Sequence, residues 1–237
     1  MNIFGMLSDL FNSEDYKKNP APRELTDEQL AGISIGAINS EQTGYYCDSL
    51  ETGAEIFDIK ENLEDYYGIT DSASAVDTLD WLLERGHRVY FDAIKGMVSG
   101  RGTGVDVSGL EPGEQERVGG YISNLEEASE DLAEEDYIND KSDLADISVT
   151  AWDMGRLVLV TRCCFDAGYI SENDAWRYIN SARISCKEQY GSWKELARGY
   201  VIGRAMWSGG DMSLSGIMAI AEGLLDDDES PWKRVKF

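Results

Sequence analysis

Apolar residues recur at every third or fourth position along most of this 237-residue chain, and stretches of strict alternation are rare. This spacing places side chains on one face of an α-helix. Only four prolines occur. The pattern therefore predicts an all-α fold, an irregular multi-helix globular domain.

Capping residues predict where the helices begin and end. Thr26 and Gln29 form a capping-box pattern for a helix that extends to about residue 41. Asp71 caps a helix over 72–85, and Gly86 ends it. Further helices are predicted over 89–97, 114–135 and 212–225. Two more are predicted to begin at Ser171 and at Ser192, and the residues from Ser192 form a second full capping-box pattern.

The segment 146–168 is apolar on two sides rather than one, which predicts a central, buried helix. The segment 99–113 holds five glycines and a proline and is predicted to be a loop. We expect an N-terminal amphipathic segment over 1–24, one helical domain over 25–225, and a loosely held tail over 226–237.

The charge is strongly negative and unevenly distributed. The chain has 45 acidic and 21 basic residues, a net charge of −24. Residues 1–150 hold 33 acids and 10 bases, whereas residues 151–237 hold 12 acids and 11 bases. Such a field repels nucleic acid and anionic membrane surfaces, so neither is an expected partner.

Few residue patterns indicate catalysis. A single histidine excludes the usual catalytic triads and most histidine-based metal sites. The glycine loop lacks the Lys-Ser/Thr pair of a phosphate-binding loop. The four cysteines show no CxxC spacing, which is typical of reduced, buried thiols in a cytoplasmic protein. We expect no catalytic residue, no metal and no cofactor, and we favour a role without enzymatic activity.

Two charged groups lie among aromatic residues on helices predicted to be buried. Asp153 and Arg156 share a helical face beside Trp152, and Arg204 lies one turn after Tyr200 and close to Trp207. Buried charges require partners. These residues form either an internal salt-bridge network or a pocket for a polar ligand.

A second set of residues suggests a protein interface. Tyr45, Tyr46 and Asp48 are predicted to lie on a turn, where they either contact a partner or cover the core. Between 126 and 146 there are ten acids and one base, typical of a solvated face. The acids assigned to the interface are Glu126, Glu127, Glu130 and Asp131.

The dispersed pattern Trp152-Asp-Met-Gly-Arg156, Ala167-Gly-Tyr-Ile-Ser171, Tyr200-Val-Ile-Gly-Arg204 and Trp207, with Gly44-Tyr-Tyr46, resembles the YbeU/YbeR-like family of bacterial proteins. The resemblance spans roughly residues 30–209. It implies a cytoplasmic, helical domain without an established activity, so it supplies no catalytic residues.

Two functions remain open. The first is a non-catalytic, acidic protein-binding module for a basic partner, such as an immunity-type inhibitor of a basic toxin or nuclease domain. The second is a small-ligand-binding protein or enzyme with a pocket lined by tryptophan, aspartate and arginine. The charge asymmetry favours the first.

Overall fold

The structure, a computed structural model, describes residues 16–210 and 212–237, and these residues contain helices, turns and loops but no β-strand. The all-α prediction is confirmed. The α-helices are α1 Asp27–Ser34, α2 Ala37–Thr43, α3 Ile56–Tyr67, α4 Ser72–Glu84, α5 Arg88–Val98, α6 Val118–Glu134, α7 Thr150–Asp166, α8 Glu172–Gln189, α9 Trp193–Ser208, α10 Met212–Asp226 and α11 Pro231–Arg234. Short 3₁₀-helices lie at Val107–Gly109, Gln115–Arg117 and Lys141–Asp146. Among the helices of these residues, none is long and apolar enough to cross a membrane.

The two predicted capping boxes have different outcomes. At Thr26 both reciprocal bonds form, with Gln29 N–H donating to Thr26 Oγ1 and Thr26 N–H donating to Gln29 Oε1. At Ser192 the hydroxyl accepts from Glu195 N–H, but the Glu195 carboxylate accepts from Gly191, one residue before the cap.

Three other predictions about the elements need correction. The helix predicted from 26 to 41 is interrupted by a turn between α1 and α2, at Ile35 and Gly36. A Cβ atom at position 36 would lie 2.8 Å from Val158 Cγ1. Helix α3 was not predicted. Six of its twelve residues are apolar or aromatic, but only Ile59 and Leu63 are buried. The amphipathic segment over 1–24 lies largely outside the described residues, and 16–24 form no helix.

The chain divides into two compact units, each made of separated stretches of sequence. Unit 1 takes in the described residues up to Glu84 together with Met154–Glu188 and Ile220–Phe237. Unit 2 comprises Arg85–Asp153 and Gln189–Ala219. Neither unit is one continuous range, and the single domain over 25–225 stays a prediction.

Helix α7 is buried along nearly its whole length, since only Leu159, Phe165 and Asp166 are partly exposed. This agrees with the prediction of a central buried helix over 146–168. The helix begins at Thr150, after the 3₁₀-helix Lys141–Asp146 and an extended residue, Ile147.

The tail is not loosely held. Within unit 1, Trp232 is 3% exposed and its indole N–H donates to the Ser34 carbonyl at 2.7 Å. Ser230 is fully buried and caps α11 by accepting from Trp232 N–H. Burial of an aromatic side chain outweighs the cost of ordering a short terminal segment, which the charge switch in the sequence did not indicate.

In unit 2, α6 packs against both α5 and α9. Helix α9 also approaches the first turn of α7 at Gly203, where a Cβ atom would lie 2.4 Å from Trp152 Cβ. Only glycine allows this contact. The glycine-rich segment 99–113 is a loop, as predicted, and is tied to α5 by bonds from Gly102 N–H to Gly96 and from Asp106 N–H to Ala93.

Candidate functional site

The carboxylate of Asp153, in the first turn of α7, is completely buried and bonded to the start of α5. Its Oδ1 accepts the backbone N–H of His87 at 2.8 Å, and its Oδ2 accepts that of Arg88 at 2.9 Å. The Arg88 guanidinium adds a bond to Oδ2 at 3.3 Å. A carboxylate at this position satisfies free helical N–H groups and complements the helix dipole. Asp153 therefore anchors α5 within unit 2.

Gly86 makes this anchor possible. Its φ is +63°, and a Cβ atom there would lie 2.2 Å from Asp153 Oδ2. Any other residue would be strained and would also collide with the carboxylate. The sequence predicted Gly86 only as the end of the preceding helix.

Arg156, predicted to pair with Asp153, belongs to the other unit. It is 8% exposed. Burial raises the pKa of Tyr67 in the same unit, and the Arg156 charge opposes that rise. The pairing of Arg156 with Asp153 stays a prediction, and the Asp153 carboxylate accepts from His87 N–H, Arg88 N–H and the Arg88 guanidinium.

Trp152, Tyr200, Trp207 and Arg204 form a cluster in unit 2. The Trp152 ring lies edge-on to Tyr200, with centroids 5.2 Å apart, and 6.1 Å from Trp207. The Arg204 guanidinium lies 5.0 Å from the Trp207 ring centroid and donates to Ser213 Oγ at 2.6 Å. These four residues, which the sequence analysis named together, lie close to one another. Arg204 is buried and held by the rings and by Ser213.

The acids of α6 lie on its outer side. The buried stripe of this helix is Val118, Tyr121, Leu125, Ala128 and Leu132. Glu126, Glu127, Glu130 and Asp131 are exposed. Among the described residues, none of these four carboxylates makes an ion pair. Their negative charge therefore remains available at the surface of unit 2.

The structure brings this acidic face next to the aromatic cluster. Asn124 on α6 donates to the carbonyls of Met206 and Trp207 at the end of α9, at 2.9 and 3.1 Å. A Cβ atom at position 209 would lie 3.0 Å from Glu127 Oε2, and one at 210 would lie 2.9 Å from Asp131 Oδ2. Two candidate sets that the sequence treated separately are thus parts of one surface of unit 2.

Two apolar side chains are exposed where α9 ends and α10 begins. Trp207 is 47% exposed and Met212, at the start of α10, is 92% exposed. The bond from Arg204 to Ser213 joins the end of α9 to the start of α10. We call the surface formed by Glu127, Asp131, Trp207 and Met212 the Trp207 corner.

Tyr45, Tyr46 and Asp48 lie in unit 1, on the turn that the sequence predicted. Tyr45 is 9% exposed, which favours the alternative that it covers the core. Tyr46 is partly exposed with Lys17 Nζ 5.1 Å from its ring centroid, and Asp48 Oδ1 accepts from Asn19 N–H.

Arg162, which the sequence analysis missed, holds that turn in place. It is fully buried and donates to the carbonyls of Tyr46, Leu50 and Glu51 at 2.6, 3.2 and 2.9 Å, and to Ser40 Oγ at 2.9 Å. Burial lowers the pKa of this guanidinium, and the four acceptors take four of its five N–H donors.

Asp166, one turn after Arg162 on α7, completes this framework of unit 1. Its carboxylate accepts both the N–H and the hydroxyl of Thr52, at 2.8 and 2.6 Å. The signal that could have found the pair is an arginine and an aspartate four residues apart in a helix that is apolar on both sides.

Tyr190 is a second residue that the sequence analysis missed. In unit 2 its hydroxyl accepts from Ala151 N–H at 2.9 Å and donates to the Ser148 carbonyl at 2.8 Å. It thereby satisfies backbone groups at the start of α7. Nothing in the local sequence distinguishes it from the other eleven tyrosines.

The described part of the chain contains no group of three or more His, Cys, Asp or Glu residues placed to hold a metal ion. All four cysteines are buried, and no disulfide joins them. Burial raises the pKa of Cys47 to about 11 and that of Cys163 to about 12, which opposes thiolate formation.

These features define an all-α protein in which buried charged side chains are bonded to its own helices and turns. The chain belongs to the family described as "protein of unknown function (DUF1266)", which it matches over residues 62–237. The comparisons found no match among curated proteins or among solved structures.

Proposed function

We propose that this protein is a non-catalytic binding module that captures a basic partner protein through the acidic face of α6. The observation that carries the proposal is the row of four exposed carboxylates that make no ion pair among the described residues. The net charge of −24 supports it, because complementary fields accelerate association and orient the partner.

The partner that fits this surface is a basic toxin or nuclease domain, held as an immunity-type inhibitor holds its target. An acidic inhibitor can occupy a surface that evolved to bind phosphates. We further propose, from the sequence resemblance, that the chain is a YbeU/YbeR-like bacterial protein that acts in the cytoplasm. A toxin gene adjacent to the gene for this protein would support the inhibitor role.

The small-ligand alternative has less support. Asp153 is bonded to the backbone at the start of α5 and to Arg88, and Arg204 is bonded to Ser213; such partners are expected of residues that fix helix positions.

The test compares two variants that each remove four negative charges. E126Q/E127Q/E130Q/D131N neutralises the acidic face of α6 in unit 2, whereas D58N/E61Q/E64Q/D65N neutralises four exposed acids of α3 in unit 1. Each immobilised variant is used to capture proteins from a lysate of the source cells, with washes at low and high salt.

We expect the wild type and the α3 variant to retain a basic protein that high salt removes, and the α6 variant to lose it. Equal retention by both variants would show that the overall charge, not this face, binds the partner. Retention that does not depend on salt would remove the electrostatic basis of the proposal.

A further inference from the structure

The Trp207 corner combines exposed apolar side chains with carboxylates that face solvent. Trp207 and Met212 are 47% and 92% exposed. Tryptophan is enriched at binding hot spots, and methionine adapts to irregular partner surfaces. A partner that covered them would gain apolar burial in addition to charge attraction.

The charges beside these side chains specify the chemistry of the occupant. Carboxylate oxygens of Glu127 and Asp131 lie against the chain at 209 and 210, immediately after Trp207. Neither acid has an ion-pair partner among the described residues. An anionic ligand would be repelled, whereas lysine or arginine side chains would be attracted.

The aromatic part of the corner is already supported from within unit 2. Arg204 lies against the Trp207 ring and is bonded to Ser213, and Asn124 bonds to the carbonyl of Trp207. The ring is therefore held in position before any partner arrives, which lowers the entropy cost of binding.

We infer that the Trp207 corner binds an amphipathic basic segment of a protein, whose apolar side chains cover Trp207 and Met212 while its lysine or arginine side chains reach Glu127 and Asp131. This inference rests on the proposed function and specifies it. Charge alone attracts the partner to α6, and apolar contact at the corner selects the segment that binds.

The experiment measures fluorescence anisotropy with three labelled peptides at about 50 and about 300 mM NaCl. One peptide is an amphipathic helix with lysine on one face and leucine on the other. The second carries the same number of lysines among serine and glutamine. The third peptide has the sequence of the first, except that glutamate replaces each lysine.

The variants have matched controls. W207S/M212S and M212S alone remove the apolar part of the corner, and F57S removes an apolar side chain that is 74% exposed in unit 1. E127Q/D131N removes two charges of α6, and E61Q/D65N removes a pair of the same types and spacing from α3. Circular dichroism verifies that each variant is folded.

We expect the lysine–leucine peptide to bind at least about tenfold more tightly than the lysine–serine–glutamine peptide, and W207S/M212S to remove most of this difference. M212S should remove part of it. E127Q/D131N should weaken binding several-fold and reduce its salt dependence. The control variants should stay within about twofold of the wild type.

Two results would overturn the inference, and they are distinguishable. If both basic peptides bind equally and W207S/M212S has no effect, apolar selection at the corner is wrong while capture of basic proteins stands. If neither basic peptide binds at low salt, or the glutamate peptide binds best, the inference and the proposed function both fail.

Discussion

At the scale of single residues, the buried carboxylate of Asp153 shows how one side chain can organise its surroundings. It accepts from two backbone N–H groups at the start of α5 and from the Arg88 guanidinium. Bonds to a buried charge are stronger than neutral ones and costly to break. The position of the start of α5 in unit 2 therefore depends on the charge of this one carboxylate.

The substitution D153N should lower the free energy of unfolding by about 2–4 kcal/mol, because the amide removes the charge and cannot accept from all three donors. Urea denaturation followed by circular dichroism measures the change. D92N removes an exposed acid of α5 that pairs with Lys95 and should cost less than about 0.5 kcal/mol. Equal costs would show that Asp153 does not anchor α5.

Glu41 gives a pH-dependent prediction. Burial raises its pKa from an ordinary value of 4.5 to about 7, so the folded state binds a proton that the unfolded state releases. The contribution of Glu41 to the free energy of unfolding is most favourable below about pH 4.5, and it is lost as the pH rises to about 7.

The variant E41Q should therefore gain stability relative to the wild type as the pH rises from 5 to 8, by roughly 1–2 kcal/mol after allowance for the partial exposure of the side chain. Thermal unfolding across this pH range measures the difference. The control E64Q changes an exposed acid and should show no such trend. A difference that stays constant with pH would exclude the raised pKa.

At the scale of the elements, two glycines in helices of unit 2 have opposite surroundings. A Cβ atom at Gly203 on α9 would lie 2.4 Å from Trp152 Cβ, whereas one at Gly120 on α6 would meet nothing within 4 Å. The same substitution should thus have opposite effects in the two helices.

We expect G203A to destabilise the protein by about 1–3 kcal/mol, because α9 must move away from α7. G120A should stabilise it by about 0.5–1 kcal/mol, because alanine restricts the unfolded chain and favours the helix. Denaturant unfolding measures both, and tryptophan fluorescence reports the packing around Trp152. A neutral G203A would contradict the close packing of the two helices.

At the scale of the whole molecule, the dominant property is the excess of negative charge. A net charge of −24 on a chain of this length opposes the compact state through self-repulsion. Folding therefore proceeds against an electrostatic cost that dissolved salt can reduce.

The melting temperature should rise by about 2–5 °C when NaCl increases from about 10 to about 300 mM, because salt screens the repulsion. The variant D58N/E61Q/E64Q/D65N, with four fewer charges, should melt higher at low salt and respond less to added salt. Differential scanning calorimetry measures both. A fall in melting temperature with salt would show that attractive ion pairs outweigh the repulsion.

The sequence by itself determined the class of fold, most helix boundaries and the central position of α7, because helical periodicity and capping are local properties. It also isolated Asp153, Arg204 and Trp207, because charges and large rings in apolar helices must find partners. The partners themselves are distant in sequence. Asp153 is bonded to His87 and Arg88, about 65 positions away.

Only the tertiary structure decided those pairings, the framework around Arg162, the burial of Trp232 and the meeting of the α6 acids with Trp207. Each of these contacts depends on which helix faces pack together, and one hydrophobic pattern is compatible with many ways of packing the helices. Long-range packing selects among them through the fit of particular side chains, such as the absence of a Cβ atom at Gly86 and Gly203.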